Sequence, residues 1–205
     1  MWGFFVLYLR CMLKMLKLFN RSTYSEKLYT HYKNHFGVSG EKIIPDFGSV
    51  EKLHPEFHVL RFKTDPNQNI FCYCTIGMSL DRNDSNLIEL FVYSPGSHIA
   101  IVELLTVCAS YHRNTLPLNI HHTVNIGRPW LPGSLCDHAF ISLPYIEGDK
   151  LEKFSFNNIT THCYWLIPIT EKERDFKIAN GCEELEQIFE ANSINYLNPL
   201  RESLV

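Results

Sequence analysis

The chain has 205 residues, of which 45% are hydrophobic and 20% charged, and this apolar content excludes a chain that is disordered throughout. Its net charge of −3 gives no support for nucleic-acid binding, because a protein needs a basic surface to release counterions from phosphates. Seven cysteines without metal-ligand spacing predict reduced thiols, as in a cytoplasmic protein, and no metal or cofactor. Cys72 and Cys74 alternate on a predicted strand, so both should face one side as small buried hydrophobes.

The N-terminus is apolar over residues 1–9 and then becomes basic. This run is half the length of a membrane-spanning helix, and a secretory signal peptide would place its basic residues first. Two interpretations stay open: a basic amphipathic surface anchor, or a true start at Met12 or Met15 with upstream sequence before it. We expect residues 1–20 to be an N-terminal extension and residues 21–205 to be a single domain.

The first half of the domain predicts one helix, a hairpin and a third strand. An aromatic stripe at helical spacing runs from Tyr24 to Phe36, with a capping box from Thr23 and a stop at Gly37. Strands at Phe57–Lys63 and Ile70–Ile76 flank turn-forming residues, and Leu87–Tyr93 forms the next strand.

The second half begins with a helix over His98–Arg113, for which Ser97 is placed as the N-cap. This helix carries the apolar residues Ile99, Val102 and Val107 outside its main stripe, which predicts packing on more than one side. The remaining predicted strands are Asn119–Ile126, Asp137–Leu143 and His162–Ile169. A capping box of Thr170 and Glu173 then opens a helix that ends at Gly181, and a last short helix covers Glu183–Ala191. The order predicts an α/β (α+β) fold in which helices pack on a mixed sheet.

No motif in the chain indicates catalysis. Ser134 lacks the G-x-S-x-G nucleophile elbow, and neither a P-loop nor G-x-G-x-x-G is present to bind phosphate. The adjacent His121 and His122 face opposite sides of a strand and cannot hold one metal together. An alternative function remains a metal-dependent enzyme with a histidine-lined pocket that uses His122 and His138.

The segment from His121 to Pro144 is the most informative part of the chain. It enters as a strand and becomes rich in glycine and proline while it retains Trp130. Such a loop can present a rigid backbone and an aromatic anchor to a partner. Trp130 folded back into the core is the other interpretation, because tryptophan is intermediate in burial.

The same segment resembles the central signature of suppressor-of-fused-like domains, in the run HTVNIGRPWLPGSLCDH from His122 to His138. Further agreement comes from Ile76–Ser79 with the strand around Glu89, and from the stretch Tyr164–Arg174. The resemblance covers about residue 25 to the C-terminus, and the order and spacing of these motifs make it more specific than any one of them.

The resemblance implies a suppressor-of-fused-like sandwich with a mixed, largely antiparallel sheet, like the N-terminal half of the animal Hedgehog-pathway regulator. That protein binds a transcription factor and has no known catalysis. Stand-alone bacterial copies are thought in many cases to be immunity proteins that neutralise a polymorphic toxin, and a chain that stops after one domain resembles these.

We therefore expect a cytoplasmic, non-catalytic protein whose partner is a cognate toxin or a regulatory target. No nucleic-acid partner is expected, and no membrane unless residues 1–20 are an anchor. The partner-binding residues expected from the signature segment are His122, Thr123, Gly127, Arg128, Trp130, Ser134 and His138.

Overall fold

A computed structural model describes residues 24–46, 52–82 and 84–205. The expected N-terminal extension, the two alternative start positions and the capping residue Thr23 lie outside these ranges. The helices are α1 (residues 24–36), α2 (Ile99–Asn114), α3 (Asp149–Glu152), α4 (Glu171–Asn180) and α5 (Cys182–Ala191). The strands are β1 (Glu41–Ile43), β2 (His58–Lys63), β3 (Phe71–Ile76), β4 (Ile88–Ser94), β5 (Thr123–Asn125), β6 (His138–Ser142), β7 (Lys153–Phe156) and β8 (Ile159–Ile169).

The strands form one mixed sheet in the order β1-β2-β3-β4-β8-β6-β5, and β7 also pairs with β8. Every described pairing is antiparallel except that of β4 with β8. Strand β8 lies at the centre because its 11 residues pair in turn with β7, β4 and β6. The predicted mixed, largely antiparallel sheet is confirmed, and β5 is an edge strand.

Each face of the sheet carries its own hydrophobic core, because successive side chains of a strand point to opposite sides. On β8, Tyr164 and Leu166 join the core beneath α2, whereas Cys163 and Trp165 join the core beneath α1, α4 and α5. The domain is therefore a sheet between two helical layers. Within the described ranges, no helix is long and apolar enough to cross a membrane.

Local signals in the sequence predicted several elements correctly. The Thr170 capping box is present, with Glu173 N–H donating to Thr170 Oγ1 at 3.2 Å, and Gly181 ends α4 at a positive φ of 110°. Cys72 and Cys74 are both fully buried on one face, with their Sγ atoms 3.9 Å apart. The predicted hairpin is the antiparallel pair β2–β3.

Three predictions about individual elements were wrong in whole or in part. Ser97 does not cap α2, whose N-cap is His98, and its hydroxyl instead accepts a hydrogen bond from Arg61. The strand expected over Asn119–Ile126 shrinks to β5, because His122 N–H closes a turn onto Asn119 O at 3.1 Å. The prediction that α2 packs on more than one side holds for Val102, which is fully buried, but not for Ile99 and Val107, which are 60% and 57% exposed.

The hairpin β7–β8 was not predicted. Asn157 and Asn158 form its two-residue turn with φ values of 50° and 62°, the left-handed conformation that tight hairpins require. Asparagine tolerates this conformation better than most residues, which explains the Asn-Asn pair.

A buried ion pair fastens the C-terminal tail to α4. Arg201 donates from Nη1 and Nη2 to the two carboxylate oxygens of Glu173 at 2.6 and 2.7 Å, and Nη2 also donates to Pro168 O at 2.9 Å. Glu173 is fully buried and Arg201 is 7% exposed. The tail, α4 and the end of β8 are therefore held by one charge-assisted network.

Candidate functional site

The signature segment begins at an irregular point of the sheet edge. His121 has a φ of 64°, and residues 121 and 122 both bond to Ile141: His121 N–H donates to Ile141 O at 2.7 Å, and Ile141 N–H donates to His122 O at 2.9 Å. Two residues thus oppose one, which is a β-bulge. The bulge leaves the His122 side chain exposed at the start of β5.

Trp130 lies in the core beneath α2 and is only 3% exposed. Its backbone N–H donates to Cys136 O at 3.0 Å, which closes the loop between β5 and β6. Its indole Nε1–H is buried and has no acceptor among the described residues. Trp130 is therefore a core residue in this structure and is not exposed as an aromatic anchor.

The other signature residues divide between interior and surface. Ser134 is 5% exposed, and its Oγ accepts from Cys136 N–H at 3.0 Å, so it shapes the turn. His138 is 3% exposed, with Nδ1 2.8 Å from Asp137 Oδ1. Exposed or half-exposed positions are His122, Thr123, Gly127 and Arg128. Contact with a partner remains a prediction for the signature residues. In this structure, these four are accessible to a partner, whereas Trp130, Ser134 and His138 are buried.

His122 and His138, on which the alternative hypothesis of a metal-dependent enzyme depends, are not neighbours in the structure. His138 pairs with Asn125 in the β5–β6 ladder, three residues from His122, which is about 10 Å along the strand. His122 is exposed at the bulge while His138 is buried. Over the described ranges, no three His, Cys, Asp or Glu side chains are grouped so that they could hold a metal ion.

A groove separates α2 from the edge strand β5 and the loop that follows it. Its volume is about 140 Å³. An ion pair between Arg128 and Glu103 lies at its rim, with side-chain exposures of 60% and 32%. We call this feature the α2–β5 groove, and its apolar lining consists of Ala100, Leu104, Val107, Val124, Ile126 and Trp130.

An exposed apolar row on α2 continues from the groove wall. Ile99, Val107 and Tyr111 lie at spacings of eight and four residues, on one side of the helix, and are 60%, 57% and 38% exposed. The sequence signal was present as apolar residues outside the main stripe of α2. That signal predicted a second packing face, which holds for the buried Val102, whereas Ile99, Val107 and Tyr111 remain at the surface.

Two buried ionisable groups lie away from the groove. Glu89 accepts from Thr75 Oγ1 at 2.6 Å and from Gly77 N–H at 3.0 Å, and burial raises the pKa of its carboxyl to about 7. Near the end of α2, burial and the charge of Arg82 lower the pKa of His112 to about 4, and its Nδ1 accepts from Leu118 N–H at 2.8 Å. Both groups are enclosed and hold loops in place, so they serve the fold.

The architecture is a single mixed sheet between two helical layers, with an apolar groove at one edge. The class that this architecture defines is therefore an α/β sandwich with a mixed, largely antiparallel sheet.

The chain belongs to the suppressor of fused protein family, whose model matches residues 54–202. The match contains the whole signature segment and the Glu173–Arg201 pair. The predicted family and the predicted sandwich fold are thereby confirmed.

Three known proteins illustrate the range of the similarity. A homologue of suppressor of fused from Neisseria gonorrhoeae FA 1090 is 29% identical, with a TM-score of 0.79 over 90% of this chain and 98% of its own. The immunity protein YqcF of Bacillus subtilis (strain 168) is 23% identical over 160 residues, which are 72% of this chain and 81% of that protein. A chain in the crystal structure of a Sufu–Fu complex shares the fold at 10% identity, with a TM-score of 0.67 over 88% of this chain and 92% of its own.

Proposed function

We propose that this chain is a cytoplasmic bacterial immunity protein that binds a cognate toxin and blocks it without catalysis. Family membership and the similarity to an immunity protein support a role in protein binding. The observation that supports a particular binding site is the α2–β5 groove, with the exposed apolar row of α2 beside it and the signature segment next to it. Partner-binding patches of this kind combine an apolar centre with a polar rim.

The proposed contact surface joins the exposed signature residues to α2. Arg128 belongs to both, because it follows β5 and pairs with Glu103 of the helix. His122, Thr123 and Gly127 border the same edge of the sheet. A partner that docks here would bury the apolar row of α2 and remain in contact with the rim charges.

The direct test is rescue of growth. A bacterial strain would express the protein encoded beside this chain's own gene, with and without this chain, and affinity purification from the same cells would detect the complex. We expect growth only with both proteins present, and recovery of both in one complex.

A matched control uses the buried core. Leu105→Asp places an unpaired charge in the fully buried side of α2 and should abolish folding and rescue together. Ile178→Glu changes a side chain that is 68% exposed on α4, in the layer opposite α2, and should leave both intact. Toxicity that persists although wild-type chain is folded and abundant would contradict the proposal.

A further inference from the structure

We propose that the α2–β5 groove receives one apolar side chain of the bound partner, next to a partner carboxylate that binds Arg128. The inference rests on the proposed function in so far as the partner is a protein. It adds what that protein must present at this point of its surface: a leucine, isoleucine, methionine or phenylalanine beside an aspartate or glutamate.

The size of the groove limits the occupant to one side chain. An apolar cavity of about 150 Å³ holds a molecule the size of benzene, so a groove of about 140 Å³ holds one apolar side chain of about that size. Leucine, isoleucine, methionine and phenylalanine meet this limit, whereas tryptophan is larger. Alanine would leave most of the groove empty.

The lining selects an apolar occupant. Val107 on the helix side and Val124 on the strand side line the groove, and the ring of Trp130 lies among them. Val107 is 57% exposed, so an inserted side chain would remove its surface and that of the groove from water together. Water held among apolar walls lacks the two to four polar partners that ordered water needs, and its displacement is therefore favourable.

The rim selects the charge of the neighbouring residue. Arg128 and Glu103 form an ion pair, but the Arg128 side chain is 60% exposed against 32% for Glu103. A guanidinium carries five N–H donors, and Arg128 bonds to Glu103 through Nη2. Its exposed side can bind a second carboxylate in the fork geometry that arginine favours, whereas the less exposed Glu103 offers less room to a cation.

The test uses three synthetic probes on the full chain: N-acetyl-leucyl-glutamate amide, N-acetyl-alanyl-glutamate amide and N-acetyl-leucyl-lysine amide. Binding is followed by NMR on the indole N–H resonance of Trp130, assigned with Trp130→Phe. We expect the leucyl-glutamate probe to shift this resonance in the millimolar range. The alanyl probe should bind at least about tenfold more weakly, because it lacks three apolar carbons.

Two variants and a control locate the binding. Val107→Glu should abolish the shift, and Arg128→Glu should weaken the leucyl-glutamate probe about fivefold while it reverses the preference between glutamate and lysine probes. Ile178→Glu changes an exposed apolar side chain on α4, away from the groove, and should leave the binding of all three probes unchanged. Equal binding of the leucyl and alanyl probes, or a shift that survives Val107→Glu, would overturn the inference.

The cognate protein separates this inference from the proposed function. If it binds wild type and Val107→Glu with the same affinity, the groove is not its contact and the inference fails, while the proposed function stands. If it binds neither while the leucyl-glutamate probe still binds wild type, the proposed function fails. A loss of about tenfold or more in affinity for Val107→Glu alone, with an unchanged melting temperature, supports both.

Discussion

Replacement of Arg201 by methionine should strongly destabilise the domain. The change leaves the Glu173 carboxylate, which is fully buried, without its bidentate partner, although Thr170 N–H still donates to it at 2.8 Å. Removal of one member of a buried ion pair costs about 3–5 kcal/mol. A domain has a free energy of unfolding of about 5–15 kcal/mol, so Arg201→Met should remove a large part of it.

Urea denaturation measures this effect. With a slope of about 2.5 kcal/mol per molar urea, a loss of about 4 kcal/mol lowers the midpoint by about 1.5 M. Arg128→Met is the matched control, because it breaks the exposed pair with Glu103, and such pairs contribute about 0–1 kcal/mol. Its midpoint should fall by less than about 0.4 M.

A second variant tests the cause of the loss. Glu173→Gln combined with Arg201→Met removes the buried charge, so the double variant should be more stable than the sum of the two single changes predicts. Equal midpoints for Arg201→Met and Arg128→Met would refute the view that this pair fastens the tail to α4.

Three further predictions follow from the buried polar groups. Glu89 has a folded pKa of about 7 against 4.5 for an ordinary glutamate. Its contribution to stability is therefore present below pH 4.5 and lost as pH rises through 7, a decline of about 3 kcal/mol. Urea midpoints of Glu89→Gln measured across this pH range should lack that decline. His112 has a folded pKa of about 4 against 6.5 for an ordinary histidine, so its contribution to stability is present above pH 6.5 and lost as pH falls through 4. His112→Asn keeps an acceptor for Leu118 N–H but does not titrate. The urea midpoint of this variant should therefore decline less than that of wild type between pH 6.5 and 4. Thr170→Ala removes the N-cap acceptor of α4 and should lower the free energy of unfolding by about 1 kcal/mol, and a thermal melt identical to wild type would contradict the capping role.

Local rules predicted the elements whose signals lie within a few residues. The capping box at Thr170, the end of α4 at Gly181 and the alternation of Cys72 and Cys74 each depend on neighbours in sequence. The order of helices and strands then indicated the fold class, and the motifs from His122 to His138 indicated the family.

Elements that depend on distant partners were missed. Strand β1 has three residues and exists because β2 provides its hydrogen bonds, and β7 exists because β8 extends beyond β4 to pair with it. The signal for β7 was the Asn157–Asn158 pair, which favours a two-residue hairpin turn.

The candidate site could be predicted only in part. The sequence indicated the segment that follows β5, and the structure places Arg128 of that segment at the rim of a groove. The other wall depends on how α2 is rotated over the sheet, which leaves Val107 outside and Leu104 in the core. Whether Trp130 points inward or outward is decided by the same packing, which no local pattern records.

The central claim is that this chain inactivates another protein by binding to it. Titration of the purified chain into the purified toxin encoded beside its gene, with toxin activity and binding heat measured in the same samples, tests this most directly. The account predicts that activity falls in proportion to the fraction of toxin bound and reaches its minimum when binding is saturated, with no turnover by this chain. Full toxin activity at saturating chain, or inactivation by far less than an equimolar amount, would contradict it.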